Sequence, residues 1–346
     1  MIHAHPTRAR QWVLAAATLT AAASACFTAS TANAADKITI GVLRLQSHAS
    51  TFIAHDRGYF KAQDLDVNLM YFEAAQPMAV AIASGDVDFG MTAITGGLIN
   101  LAEKGALKII GGALSEDASV EGQAILVSKK AFDEGITTPA KLKGRSFGVT
   151  QAGSSFHYMA YKIAQKEGFA PSEIAIKPLQ KLPSIVAALR TGQIDAWAIQ
   201  PNNARDLEAT GDVKIIGRVG DYAPGYQVTT VFTSSKIAAE KKALVKRFLA
   251  GLSKGVDDYD AALVAKSGGD AAVGDLAKLL QPYLYPDQPV DKVVTSIKSG
   301  AMRLNKGASL NLASVKDQLA WFQEQDMVAK TITLETFVDP SFVEVK

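Results

Sequence analysis

The sequence predicts an α/β protein made of two βαβ lobes joined by two crossing strands. Two observations carry this. Short apolar runs rich in β-branched residues alternate with helix-length runs, which is the pattern of parallel βαβ units. The chain also states one such unit twice. Ile38-Thr39-Ile40-Gly41-Val42 opens the first copy and Ser84-Gly85-Asp86-Val87-Asp88-Phe89 closes it. Ser146-Phe147-Gly148-Val149 opens the second and Thr191-Gly192-Gln193-Ile194-Asp195-Ala196 closes it. Gly41 to Gly148, Gly85 to Gly192 and Asp88 to Asp195 are each 107 positions apart. One register held at both ends of the unit marks a duplication rather than a chance match.

In order, the first copy predicts a strand at 38–43 and a helix from the polar loop Arg44–Ser50 to Gly58, capped by Ser47 or Ser50. A strand at 67–72 follows, then a helix with Pro77 in its first turn, where a missing N–H costs nothing. A short strand at 87–91, a helix over 92–104 and a strand at 108–113 complete this part. The second copy predicts strands at 147–150, 175–179, 194–200 and 213–216, with helices over 156–168 and 183–191. Runs 124–127 and 228–233 read as the crossing strands. Beyond 228–233 lies a long amphipathic helix with Ile237, Leu244, Phe248, Leu252 and Val256 about one face. The remainder reads as helical, broken at Gly268-Gly269, at 282–289 and at Gly307.

Residues 1–34 read as a secretory signal peptide. Arg8 and Arg10 precede an alanine-rich apolar run, and Ala32-Asn33-Ala34 is a small-x-small cleavage pattern. Cleavage there implies the periplasm. Lipid anchoring through Cys26 is the less favoured alternative. Removing Arg8 and Arg10 from 36 basic residues leaves 34, against 34 acidic ones. A balanced mature chain gives no electrostatic case for nucleic acid. Cys26 is the one cysteine, so the mature chain has no thiol for catalysis or disulfides. His48, His55 and His157 have no metal-ligand spacing, and no cofactor is expected. A monomer is the default expectation.

In open parallel sheets ligands bind beyond the carboxyl ends of the strands. Two facing copies put both sets of ends into one cleft. The first copy offers Arg44, Gln46, Ser47, His48, Glu73 and Thr92; the second offers Gln151, Ser154, Ser155, Phe156, Gln200 and Asn202. Gly153-Ser154-Ser155 places two hydroxyls beside the free N–H groups of a helix start, which suits an anion; simple helix capping is the structural alternative. Arg44 is expected to pair with a carboxylate or sulfonate, or else with Glu73. Phe156, Tyr158, Tyr222 and Tyr226 are expected to supply an aromatic wall or core packing. Asp86, Asp88 and Asp195 read as structural turn residues.

These stretches, with Gly58-Tyr59-Phe60, Leu142-Lys143-Gly144-Arg145 and Trp321-Phe322-Gln323-Glu324-Gln325, resemble the periplasmic solute-binding proteins of ABC importers in the sulfonate, nitrate, taurine and thiamine-precursor group. The resemblance covers the whole mature chain. It implies a type II periplasmic-binding-protein fold with a discontinuous lobe of 36–123 plus 234–346 and a second lobe of 128–227, capture of a small organic anion by lobe closure, and delivery to a membrane permease driven by an ATPase. Members often carry a proline in the first loop, where this chain has Arg44-Leu45-Gln46-Ser47-His48. The alternative is an enzyme on the same fold, like pyrimidine synthases or desulfinases. The absence of cysteine from the mature chain disfavours it.

Overall fold

Two sheets organise the computed structural model, which describes residues 34–346. The expected leader up to Asn33, with Cys26, lies outside the described residues. The strands are β1 Asp36–Val42, β2 Leu65–Tyr71, β3 Phe89–Thr92, β4 Leu107–Ser115, β5 Ala124–Ser128, β6 Ser146–Val149, β7 Ala175–Pro178, β8 Ala196–Ile199, β9 Val213–Arg218, β10 Gln227–Ser234 and β11 Arg303–Leu304. The first sheet has the order β11-β4-β10-β3-β1-β2 and the second β7-β6-β8-β5-β9. Apart from β11 the two orders are the same: β1, β2 and β3 correspond to β6, β7 and β8. Within each trio the pairing is parallel. The mixed α/β architecture expected of a duplicated unit is therefore present.

The strands read as crossings each lie wholly in one sheet. β5 pairs antiparallel with β8 and β9, and β10 pairs antiparallel with β3 and β4. β5 follows β4 in the chain yet belongs to the other sheet, and β10 returns the favour after β9. The chain passes between sheets through 116–123 and 219–226. These segments are tied to each other: Glu116 N–H donates to the Tyr226 carbonyl at 2.8 Å, and Val219 N–H to that of Gln123 at 2.8 Å.

Asp88 and Asp195 each tie their own copy together, the structural role expected of them. The Asp88 carboxylate accepts the Thr39 N–H at 2.7 Å, and that of Asp195 accepts the Ser146 N–H at 2.8 Å. Each bond joins the end of a unit to its opening strand, which fixes the loops beyond.

Four helical expectations differ from the structure. The one long helix expected to carry Ile237 and Val256 is two, Ser235–Glu240 and Lys242–Tyr259, parted at Lys241. Residues 92–95 end β3 and turn, and the helix begins at Gly96, capped by Thr95. Pro201–Ala209 is a helix where none was expected, with Pro201 in its first turn. Pro282 does not break the chain but lies in the last turn of the helix Gly269–Leu284. That helix packs on Ala49–Asp56 and on Val290–Ser299, and Val290–Ser299 packs in turn on Pro201–Ala209.

Candidate functional site

The carboxyl ends of both parallel trios converge on a cavity of about 60 Å³. Ser47, His48, Ala74, Ala75 and Thr92 line it from the first copy; Thr150, Ser154, Ser155, Phe156 and Gln200 line it from the second. Leu43, Leu114, Met159, Ile199 and Val228 add apolar wall, and Gln123 and Thr229 add polar groups. No Asp, Glu, Lys or Arg lines this cavity. Backbone and side-chain bonds close it from both sides. Ser47 N–H donates to Gln200 Oε1 at 3.0 Å, and Gly96 N–H to the Gly153 carbonyl at 3.1 Å. Gly153 has φ +72°, and a Cβ there would sit 3.1 Å from Met327 Sδ, so this approach needs glycine.

Two helices begin at the cavity wall, Ala75–Ser84 after Ala74 and Ser155–Glu167 after Ser154, whereas Ala49–Asp56 continues a 3-10 turn, Gln46–His48, and its Ala49 N–H already donates to the Gln46 carbonyl. Neither Ala74 nor Ser154 caps its helix with a side chain. Capping was the structural alternative for Ser154, and it is not observed. The first N–H groups of a helix lack intrahelical partners and carry partial positive charge. Three buried side-chain atoms on the lining also lack a protein partner: His48 Nδ1, Ser154 Oγ and Thr229 Oγ1. Such groups are costly to leave unpaired, by roughly 1–3 kcal/mol each. Burial drives the His48 imidazole down to about 3, so it is neutral at ordinary pH and offers a hydrogen bond rather than a charge.

The structure relocates several expected ligand residues. Arg44 is outside the cavity. Its Nη1 donates to the carbonyls of Tyr283 at 2.8 Å and Pro282 at 3.4 Å, and its guanidinium lies 4.2 Å from the centre of the Tyr71 ring. Glu73 does not pair with it but lies 3.6 Å from Lys181 at the rim. Gln46 is buried away from the cavity, and its Nε2 donates to Tyr259 Oη and the carbonyls of Ile297 and Gly300. The C-terminal helices, far away in sequence, have taken both side chains. Asn202 donates to Tyr285 Oη at 2.6 Å and bridges the lobes without lining the cavity. Gln151 does not line it either.

Of the aromatic candidates, Phe156 alone lines the cavity, edge-on to Trp197 at 5.5 Å. Tyr226 packs on Tyr158 at 4.8 Å, and Tyr158 on Trp321 at 5.2 Å. Burial raises both phenols far above their usual range. The residues not singled out from sequence, Thr150, Thr229 and Gln123 above all, flank strand ends. Thr150 directly follows the strand run Phe147-Gly148-Val149 and was within reach of that rule.

Similar solved structures share this architecture. The alkanesulfonate-binding protein SsuA from Xanthomonas axonopodis pv. citri, bound to MOPS, is 20% identical with a TM-score of 0.68, covering 88% of this chain and 98% of that one. The periplasmic nitrate-binding protein NrtA from Synechocystis PCC 6803 is 11% identical with a TM-score of 0.71, covering 88% and 86%. The desulfurization enzyme DSZB is 16% identical with a TM-score of 0.54, covering 89% and 97%. At these identities the likeness is one of fold. No curated protein matches the chain. The family model described as NMT1/THI5 like matches residues 46–262, more than half of the sequence, and the chain belongs to that family.

Proposed function

We propose that this chain is the extracytoplasmic solute-binding component of an ABC importer. It captures a small organic anion, a carboxylate or sulfonate, in the interlobe cavity and delivers it to a membrane permease driven by an ATPase. The observation that carries this is the cavity itself. Two uncapped helix starts and three unpartnered buried polar atoms surround a space with no ionic side chain. Such a site favours one negative charge held by N–H and O–H donors. The fold it shares with proteins named for an alkanesulfonate and for nitrate supports the same class. Lobes at 36–123 plus 234–346 and at 128–227 would close about the tied segments 116–123 and 219–226, with the chain acting as a monomer in the periplasm.

An enzyme working by nucleophilic catalysis would need an activated nucleophile here. His48 Nδ1 bonds no hydroxyl, so the cavity's serines and threonines have no base on them through that nitrogen. Thermal shift with a panel of alkyl sulfonates, taurine, nitrate, carboxylates and aminopyrimidines tests the binding reading. A ligand at a hundred times its Kd stabilises by about 2.7 kcal/mol, which is expected to raise Tm by roughly a few degrees. A panel in which organic anions are silent and aminopyrimidines shift Tm would overturn the anion assignment. Turnover of a bound compound by the purified chain would overturn the pure binding role.

A further inference from the structure

The loop that presents Ser154 and Ser155 is tied at Gly153 to two residues outside the cavity lining. The Gly153 carbonyl accepts the Gly96 N–H at 3.1 Å, and the Gly153 N–H donates to His157 Nδ1 at 3.2 Å. His157 stands in the first turn of the helix Ser155–Glu167. Its ring lies edge-on to that of Trp321, 5.3 Å away on the helix Leu312–Glu324. A backbone N–H can only donate, so Nδ1 is the bare nitrogen and the proton of the neutral ring sits on Nε2. Without this acceptor the buried Gly153 would keep an unpaired N–H, which favours turning the loop elsewhere.

The surroundings keep Nδ1 bare. Burial holds the imidazole below its ordinary 6.5. Among the described residues no carboxylate or cation bonds the ring. On the facing helix Asp317 is engaged by Tyr158 and Lys162, and Glu324 by Tyr161. Beyond it Asp326 pairs with Lys330, and the helix that starts at Gly96 has its one acid, Glu103, at the far end. The first copy ties its loop differently. Gln46, 107 positions before Gly153, is held by its side chain on the carbonyls of Ile297 and Gly300.

Resting on the anion-binding reading above, we infer that His157 is a positioning residue: by accepting the Gly153 N–H it holds Ser154 and the helix start toward the cavity without touching the solute. Protonation sets N–H against N–H and releases the loop. Charge alone would make a protonated His157 tighten an anion, so the sign of the pH dependence separates the two roles. NMR titration of methanesulfonate into the unmodified chain, His157→Asn and His157→Leu from pH 5 to 8 tests this. The sulfonate stays ionised over that range, and His48, at about 3, stays neutral. Asn puts Oδ1 where Nδ1 stood and does not titrate; Leu offers no acceptor.

The proton of His157 is expected on Nε2, and the Gly153 amide shift is expected to follow the titration of its ring. His157→Leu is expected to weaken Kd about tenfold, the loss of about one hydrogen bond, and His157→Asn to stay within about twofold at pH 8. Glu116 titrates in the same range, so the profile that counts is the unmodified chain relative to His157→Asn, and it is expected to weaken on acidification. A proton on Nδ1, a relative tightening on acidification, or unchanged affinity in His157→Leu overturns the inference. Methanesulfonate that leaves the Ser154 and Ser155 amides of the unmodified chain unmoved overturns the anion reading, while the tautomer and the Gly153 shift still judge the tether. The comparison with His157→Asn stands whether or not His157→Leu folds.

Discussion

The two copies of the repeat share a scaffold and put their first loops to different uses. In both, an aspartate closing the unit clamps the strand that opens it, Asp88 on Thr39 and Asp195 on Ser146. Beyond the clamp they diverge. In the first copy Arg44 and Gln46 are bonded to the helices Gly269–Leu284 and Val290–Ser299 and their flanks. In the second, Ser154 Oγ stays unpartnered at the cavity. A duplicated fold thus says where a site can form. The elements that pack on each copy decide whose side chains remain free for a ligand.

The sharpest break between the copies is expected from Gln46→Ala. It strips partners from Tyr259 Oη and two carbonyls in a buried place, and about 2–4 kcal/mol of stability should be lost. Ser154→Ala removes a hydroxyl with no partner to lose, and its urea midpoint should barely move. Equal losses in the two variants would erase the distinction drawn between the loops.

The clamps should be similar in kind and unequal in size. Asp195 accepts from both the Ser146 N–H and its hydroxyl, at 2.8 and 2.7 Å, whereas Asp88 accepts from the Thr39 N–H. Each alanine substitution is expected to cost about 1–3 kcal/mol, with Asp195→Ala the larger in thermal unfolding. The opposite ranking would show that the copies are not held by equivalent devices.

A smaller effect separates the cavity from the segments that join the sheets. His48 lies at about 3, below its ordinary 6.5. The unfolded chain therefore binds more protons, and His48's contribution is complete above pH 6.5 and lost as pH falls toward 3. Glu116, in the segment 116–123, is raised by burial to about 7 from 4.5. Its folded form binds more protons, so its contribution is complete below pH 4.5 and lost as pH rises through 7. Between pH 4.5 and 6.5 the two slopes oppose. His48→Gln should leave stability rising on acidification in that window and Glu116→Gln should leave it falling, by about 1.4 kcal/mol per pH unit at most. Denaturant midpoints across pH 4 to 8 check this, and identical profiles for the two variants would refute it.

The strands and the duplication were legible because apolar period and the 107-residue register are local signals. The helix Pro201–Ala209 was harder to read, since Asn202, Asn203, Arg205 and Asp206 dilute its apolar face. Pro201 in its first turn was the available cue. Ser47, His48, Thr92, Ser154, Ser155, Phe156 and Gln200 follow from the strand-end rule and do line the cavity. The places of Arg44 and Gln46 were not legible. They depend on contacts with Tyr283 and Gly300, more than two hundred positions away, and no local pattern encodes them. Polarity at a strand end marks candidates without saying which of them another element will claim.

The most direct measurement is calorimetric titration of one organic anion, the best of the thermal-shift panel, into Arg44→Ala and Ser154→Ala side by side. Ser154→Ala is expected to weaken binding by about 1–2 kcal/mol, as loss of a hydrogen bond to a charged group does, and Arg44→Ala to stay within about twofold of the unmodified chain, in keeping with an exposed, screened cation. Tenfold or greater loss in Arg44→Ala with Ser154→Ala silent would contradict the assignment of the anion to the helix starts and return it to the arginine.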